Sequence, residues 1–376
     1  MEIKKEENEN LAEEKEVIND DLMRFIRIVL IALVLLIATV LTTGWGLYKL
    51  NWQNSFSETV SRFIPYPIAT VNYTNWITFD EYNKNVKSIK KFLENKETAF
   101  KNSGFDFSTE DGLKRLAVIK KNVLNQLIEN RMVKLLAEER GIKISSGEIA
   151  DTTTKILTRD GQEKENLAQL SLLYGWDAND FRDQVISNLL YREKLETLIK
   201  GQGELDKESK VKLDVIKGKI QSKEDFGEIA KQLSESPSRE YGGLLPVFSQ
   251  EEAPADLKNL AFSLPIGKIS DPIESEDGWY IIKVERKFSE NGTEKVEIRN
   301  VFVKRDSFES WLTNQKNKFK VYLPESNYFW HTEMGKVYFK DEALNKLENE
   351  INRASLNENL QATDFLLNVS GGLKQK

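Results

Sequence analysis

The 376-residue sequence contains no cysteine and a single histidine, His331. Without cysteine there is no disulfide, no thiolate zinc or iron–sulfur site and no cysteine nucleophile. With one histidine, any mechanism that needs an imidazole base has only His331. That residue sits in NYFWHTEMG with no serine-nucleophile elbow elsewhere, so a structural or solvent-facing role is expected. No basic run with interleaved aromatics is present, which removes the footprint of nucleic-acid binding; the net charge is −6. Internal repeats and low-complexity tracts are also missing. What is present is ordinary globular composition, 40% hydrophobic and 30% charged. The chain beyond its first fifty residues is long enough for two or three compact units.

Residues 1–24 are rich in Glu, Asn and Lys and read as a short disordered tail. Ile28 to Tyr48 then run without a charge. About 20 apolar residues span the hydrocarbon core of a bilayer as a helix, so 25–49 is expected to be transmembrane. Lys4, Lys5, Lys15, Arg24 and Arg27 precede it, and only Lys49 and Arg62 follow closely. The positive-inside rule puts residues 1–24 in the cytoplasm as a tail and residues 50–376 outside, on a single-pass cell-membrane protein. A cleaved signal peptide is the competing reading. It would have a long acidic front region and a poor cleavage site at Thr42-Thr43-Gly44.

Residues 50–67, with two prolines, read as a linker. Ile68 to Phe79 alternates as a small hairpin, leading into a helix over 80–102. The longest helical stripe covers 109–140, with Leu116, Val123, Leu127, Met132 and Leu136 among its apolar positions. Ser108 and Asp111 resemble a capping box at its start and Gly141 stops it. Further helices are expected over 145–158, 163–174 and, behind Asp177, 178–200. The stretches VNYTNWITFDEY, NVLNQLIENRMVKLLAEERGIKISSGEI and LLYGWDANDFRDQVISNLLYREKL are similar to the N-terminal chaperone domain of the SurA, PrsA and PpiD type. That family often has Gly where this chain has Tyr73. The resemblance defines a helical domain over 68–203, and it implies that the helix expected over 340–367 returns to complete it. The alternative is a generic amphipathic bundle.

Residues 206–222 read as a charged helix. Phe226, Ile229, Ala230 and Leu233 form one face of a second helix. Gly242-Gly243 before an apolar pair suggests positive φ or close backbone approach. Leu257, Leu260, Ala261 and Leu264 mark another helix, and Asp277-Gly278 announces a hairpin into the β-rich run Trp279 to Val284. In this order, GG-x-L-x-x-F, LAFSL, G-x-I-S-x-P-I and DGWYIIKVER resemble the parvulin peptidyl-prolyl isomerases, of the PpiC type. The resemblance implies a four-stranded antiparallel sheet flanked by helices over 204–325, followed by a C-terminal helical segment at 326–376. The fold class is therefore α+β: one transmembrane helix, a helical chaperone-like domain and the parvulin-like sheet.

By that resemblance Ser236 takes the family's Cys/Asp position, Asp277 its hairpin Ser/Thr and Tyr280 its second histidine. Ala253 and Leu257 stand in the cup that holds proline, and Phe262 is retained there. No strand with the family's first histidine precedes the module. The alternating strand 296–304 (VEIRNVFVK) resembles it from the other side, with Asn300 at the histidine position. Whether that strand completes the sheet from inside, as a permuted strand, or pairs at an edge stays open. The candidate catalytic set is thus Ser236, Asp277, Tyr280 and Asn300, and the candidate substrate-binding set is Ala253, Leu257 and Phe262. No metal and no cofactor is implied. The expected activity is binding of unfolded or partly folded exported polypeptides by a membrane-anchored folding factor with weak or lost isomerisation. An active isomerase with an unusual site, and a structural partner of an envelope complex, are the alternatives.

Overall fold

The computed structural model describes residues 2–50, 52, 54–94, 106–325 and 327–358. Helix α1 runs Glu2–Lys49. It starts well before the expected span: residues 2–24, read as a disordered tail, are helical, as a run without Pro or Gly and rich in Glu and Lys favours. The part Leu22–Lys49 is long and apolar enough to cross a membrane. Its last turns differ from the rest, because Thr43, Gly44, Gly46 and Leu47 are buried in the fold.

The expected linker contains helix α2, Ser55–Phe63, capped by Asn54 and Ser57 reciprocally. Strands β1 (Pro67–Val71) and β2 (Asn75–Thr78) form the anticipated hairpin. Its turn holds Asn72 and Tyr73 at φ 50° and 63°, so Tyr73 adopts the left-handed conformation for which glycine is usual. Helix α3 is Phe79–Glu94 and α4 is Glu110–Glu139. The expected cap at Ser108 is corrected by one residue: Thr109 Oγ1 accepts from the Gly112 N–H at 3.0 Å, while Ser108 binds Asp106. Then come α5 (Ser146–Leu157), α6 (Glu163–Tyr174), α7 (Ala178–Phe181) and α8 (Ser187–Gly201). The continuous helix expected over 178–200 is interrupted by a π turn at Arg182–Ile186. Asp177 caps it as anticipated, through Asp180.

Helices α9 (Lys207–Gln221) and α10 (Phe226–Leu233) precede β3 (Phe248–Ser249), α11 (Lys258–Ser263), β4 (Ile273–Glu274), β5 (Gly278–Glu290) and β6 (Thr293–Lys304). After α12 (Phe308–Lys316) and β7 (Val321–Tyr322), the segment expected to be helical instead forms a hairpin, β8 (Tyr328–His331) with β9 (Lys336–Phe339). Aromatic pairs hold it: Tyr328 with Phe339 and Phe329 with Tyr338. His331 accepts from the Met334 N–H across its turn, a structural role. Helix α13 follows at Glu342–Glu358; Leu360, Phe365 and Leu366 of the expected 340–367 helix lie outside the described residues.

These elements form two compact units. The first draws on Met1–Met132, Ser146–Ile186 and Phe319–Lys376, the second on Val133–Ser145 and Ser187–Lys318. In the first, β1 lies between β2 and β7, and Lys121 of α4 pairs with Glu348 of α13. In the second, the sheet order is β3-β6-β5-β4, antiparallel throughout. One sheet face carries Ile281, Val301 and Val303 against Leu213, Ile216, Phe226, Ile229 and Ala230 of α9 and α10. The other carries Ile282, Val284, Val296 and Ile298 against Phe248, Leu257 and Ala261.

Candidate functional site

Strand β6 decides the geometry. Along one edge it pairs with β5 from Gly278↔Lys304 to Glu290↔Thr293. Along the other, every second residue bonds to the segment that follows α10. Phe302 C=O accepts from the Glu235 N–H at 2.8 Å, and the Asn300 N–H donates to Gly243 C=O at 2.8 Å. Ile298 C=O accepts from the Leu245 N–H at 3.0 Å, and Val296 pairs with Phe248. Of the two arrangements open from the sequence, the interior one is therefore present. Val296, Ile298 and Asn300 lie on one face and Val301 and Val303 on the other, all buried.

Gly242 and Gly243 make this approach possible. Their φ values are 62° and 76°, and a Cβ on Gly243 would stand 2.2 Å from the Asn300 carbonyl oxygen. Arg299 closes the same turn from the opposite face by donating to the carbonyls of Tyr241 and Gly242 at 3.0 and 2.8 Å.

The candidate polar residues form a short chain. Ser238 Oγ donates to Asn300 Oδ1 at 2.6 Å, and Ser236 Oγ lies 2.9 Å from Ser238 Oγ. Ser234 Oγ accepts from the N–H groups of Ser236 and Phe302 at 3.2 and 3.0 Å. Asn300 is 3% exposed, so its amide is committed inward. Ser238 and Ser234 were not singled out in the sequence. The alternation Ser234, Ser236, Ser238 around Pro237 is the signal that marks them, because hydroxyls at such spacing bond a tight turn.

Tyr280 is opposite Phe302, their ring centroids 4.6 Å apart. Burial, then the charges of Asp256 and Asp277, pushes its hydroxyl above the usual phenol range, so at neutral pH it is a protonated donor. Asp277 enters through its backbone, whose carbonyl accepts from the Arg305 N–H at 2.8 Å, while its side chain stays exposed. Phe262 and Ala253 are half-buried at the border of the apolar cluster, with Phe262 6.3 Å from Phe248. Leu257 is different. At 2% exposure it is packed between the sheet and α11 and supports the surface from beneath. The arrangement offers hydroxyl and phenol groups beside aromatic surface, with the Asn300 amide holding them from beneath. Among the described residues no cluster of His, Cys, Asp and Glu is built to hold a metal.

Residues 197–286 match the model of the PPIC-type PPIASE domain, and residues 21–196 match that of the SurA-like N-terminal domain. The chain joins a SurA-like N-terminal domain to a PPIC-type PPIASE domain. Among its relatives, the foldase protein PrsA of Clostridium acetobutylicum is 24% identical over 58% of this chain and 74% of its own. PrsA of Caldanaerobacter subterraneus subsp. tengcongensis is 25% identical over 66% of this chain and 80% of its own. A solved structure, the peptidylprolyl isomerase PrsA from Bacillus anthracis, is 21% identical over 63% of this chain and 98% of its own, with a TM-score of 0.19. The PPIC-type match ends at Arg286, before β6, although β6 is the strand that fills the middle of the sheet. The PPIC-type domain contains no histidine; His331 lies in β8 of the other unit.

Proposed function

We propose that this chain is a membrane-anchored extracytoplasmic folding factor that binds unfolded or partly folded exported polypeptides, with prolyl isomerisation weak or lost. The reading rests on one observation: the PPIC-type sheet is complete, yet its polar positions hold the Ser236–Ser238–Asn300 chain and Tyr280 and no imidazole. Lowering the barrier to rotation of an X–Pro bond, about 18–20 kcal/mol, needs an apolar cup for the ring and groups that favour the twisted amide over the planar one. Here Leu257 is withdrawn into the core. Ser236 and Tyr280, with Asp277 at the hairpin, then form a polar rim that holds a client's backbone, Asn300 fixes Ser238 from beneath, and Ala253 and Phe262 form the apolar floor. Residues 68–203, completed by the C-terminal helix, act as the SurA-like chaperone domain, and 204–325 as the parvulin-like one. Residues 25–49 anchor both, with the N-terminus cytoplasmic.

The test is a protease-coupled isomerisation assay of the full chain in detergent on a short Ala-Pro peptide, run beside suppression of aggregation of a denatured exported protein. The expected rate is at least about a hundredfold below that of an active parvulin, in line with about 3 kcal/mol of lost transition-state stabilisation, together with suppressed aggregation. A rate within about tenfold of an active enzyme selects the isomerase reading instead. Neither activity, with stable capture of one folded envelope protein, selects the structural-partner reading.

A further inference from the structure

Helix α2 is built the wrong way round for a water-facing helix. Ser57 and Ser61 are buried, at 1% and 3% exposure, while Phe56 and Phe63 stand outside at 55% and 83%. Phe56 and Phe63 are seven residues apart and share one face; the two serines lie about 130° around the axis from them. A surface helix of a globular protein normally turns its apolar stripe inward. This one presents phenylalanine to its surroundings and packs small hydroxyl side chains against the fold, where the Ser57 hydroxyl is spent on the cap with Asn54 and the Ser61 hydroxyl on the Glu58 carbonyl.

The position of α2 along α1 says what those surroundings are. About 20 residues cross the hydrocarbon core, and counting from Leu22 or from Ile28 puts its outer edge between Leu41 and Leu47. The chain leaves α2 at that level. Tyr66 Oη donates to the Val40 carbonyl at 2.8 Å, its ring lies beside Gly44, and Tyr48 Oη donates to the Pro67 carbonyl at 2.9 Å. The α2–β1 turn is thereby tied beside the last turns of α1, where Trp45 is exposed and Tyr48 and Trp52 are half-buried, residue types that an interfacial aromatic belt uses. Phe63, three residues before Tyr66, carries the largest exposure of the two phenylalanines at this height. Arg62 beside it is exposed at headgroup level.

We infer that α2 is an interfacial helix: Phe56 and Phe63 enter the boundary between lipid headgroups and acyl chains, so that the extracytoplasmic part is held to the membrane by a second contact beside α1. The occupant of this face is the bilayer surface itself, and the inference rests on the reading of α1 as a membrane span. Burying two phenylalanine rings in the interface also limits the tilt of the fold relative to the bilayer.

The chain has no cysteine, so single-cysteine variants can be spin-labelled without background. Full-length Leu33→Cys, Phe56→Cys, Phe63→Cys and Val211→Cys are reconstituted in vesicles of phosphatidylethanolamine and phosphatidylglycerol. Collision with oxygen, which partitions into lipid, is compared with collision with a polar nickel chelate. The expected result is a lipid-like ratio at 33, loss of chelate collision at 56 and 63, and full chelate access at 211. Lipid-like behaviour at 33 with water-like behaviour at 56 and 63 overturns the interfacial helix and leaves the span intact. Water-like behaviour at 33 overturns both. Spin–spin broadening at 63 would mean that a second copy of the chain covers this face, and it overturns the proposal as well.

Discussion

In the second unit the long strands β5 and β6 are packed by valine and isoleucine on both faces, and the polar groups against the middle of that sheet are hydroxyls and one amide closing on each other. Charge is buried outside that sheet, at Asp206, which pairs with Arg305 at the end of β6, and at Lys316 of α12. In the first unit a buried charge joins two helices, α4 and α13. Lys121 is 3% exposed, paired with Glu348 and flanked by the rings of Tyr338 and Phe339 at 5.7 and 5.4 Å. Nearby in the same unit, a cavity of about 180 Å³ is lined by Lys120, Glu325, Tyr82 and Tyr328 together with Leu47, Trp52 and Phe79. Burial pushes Glu325 above the usual carboxylate range and Lys120 below the usual ammonium range, and each feels the other's charge. The sheet of the second unit is therefore held by shape and backbone approach, whereas the α4–α13 contact of the first depends on a pair of charges that lose their worth singly.

The largest expected effect breaks the shape-held unit. Gly243→Val places a Cβ inside the Asn300 carbonyl contact at positive φ, and destabilisation of at least about 3 kcal/mol is expected. Hydrogen exchange should accelerate through β5 and β6 and stay unchanged in α3 and α6. Uniform acceleration would show that the units do not unfold separately. Next, Glu348→Ala strands the buried Lys121 ammonium, at a cost of about 3 kcal/mol, read as faster exchange in α4 and α13. If Glu348→Ala moved stability by less than the error of a urea titration, the contrast between the units would lose its main support.

Smaller effects sharpen the comparison. Asn300→Ala leaves the Ser238 hydroxyl without its acceptor, for about 1 kcal/mol in the same titration. A loss as large as that of Gly243→Val would mean the polar chain, and not the backbone approach, holds β6. The smallest effects are in pH. Burial pushes Glu235 up but is outweighed by the Lys212 ammonium and the Lys304 N–H, so its carboxyl ends below the ordinary value. A lowered carboxylate stabilises the fold above its unfolded pKa and loses that contribution as pH falls through its folded pKa. The advantage of wild type over Glu235→Gln should thus be present at pH 7 and fade in acid. Glu325 has the opposite sign: its raised pKa means that the ionised form costs stability at neutral pH and that the cost is relieved on acidification. Glu325→Gln should match or exceed wild type at pH 7, and any gain should vanish below the ordinary carboxylate range. Parallel profiles for the two variants would contradict the assignment.

Much of the architecture was legible because it is periodic. The stripes of α4 and α10, Gly242-Gly243 and the Asp277-Gly278 hairpin each carry a local physical signature that needs no partner. The missed elements lack one. Helix α2 is short and carries its phenylalanines outward, the π turn at Arg182–Ile186 leaves the apolar rhythm nearly unbroken, and β8 and β9 are four residues each. At the candidate site, Ser236, Tyr280 and Asn300 are singled out by the resemblance and Ser238 is marked by the serine alternation, whereas the contacts of Ser238 with Asn300 and of Phe302 with Tyr280 become visible only when β6 lies beside β5 and the turn after α10.

By itself the sequence determined the long periodic helices, the β1–β2 hairpin, β5 and β6 as strands, and the chemistry ruled out by one histidine and no cysteine, since these follow from local pattern and residue type. Only the tertiary structure decided where β6 pairs, that β7 joins β1 in the other unit, that Leu257 sinks into the core, and that α2 lies beside the end of α1. Each of these is a choice among partners distant in the chain. An alternating strand or an amphipathic helix states which face is apolar, but the surface that meets that face is settled only when every other element has taken its place.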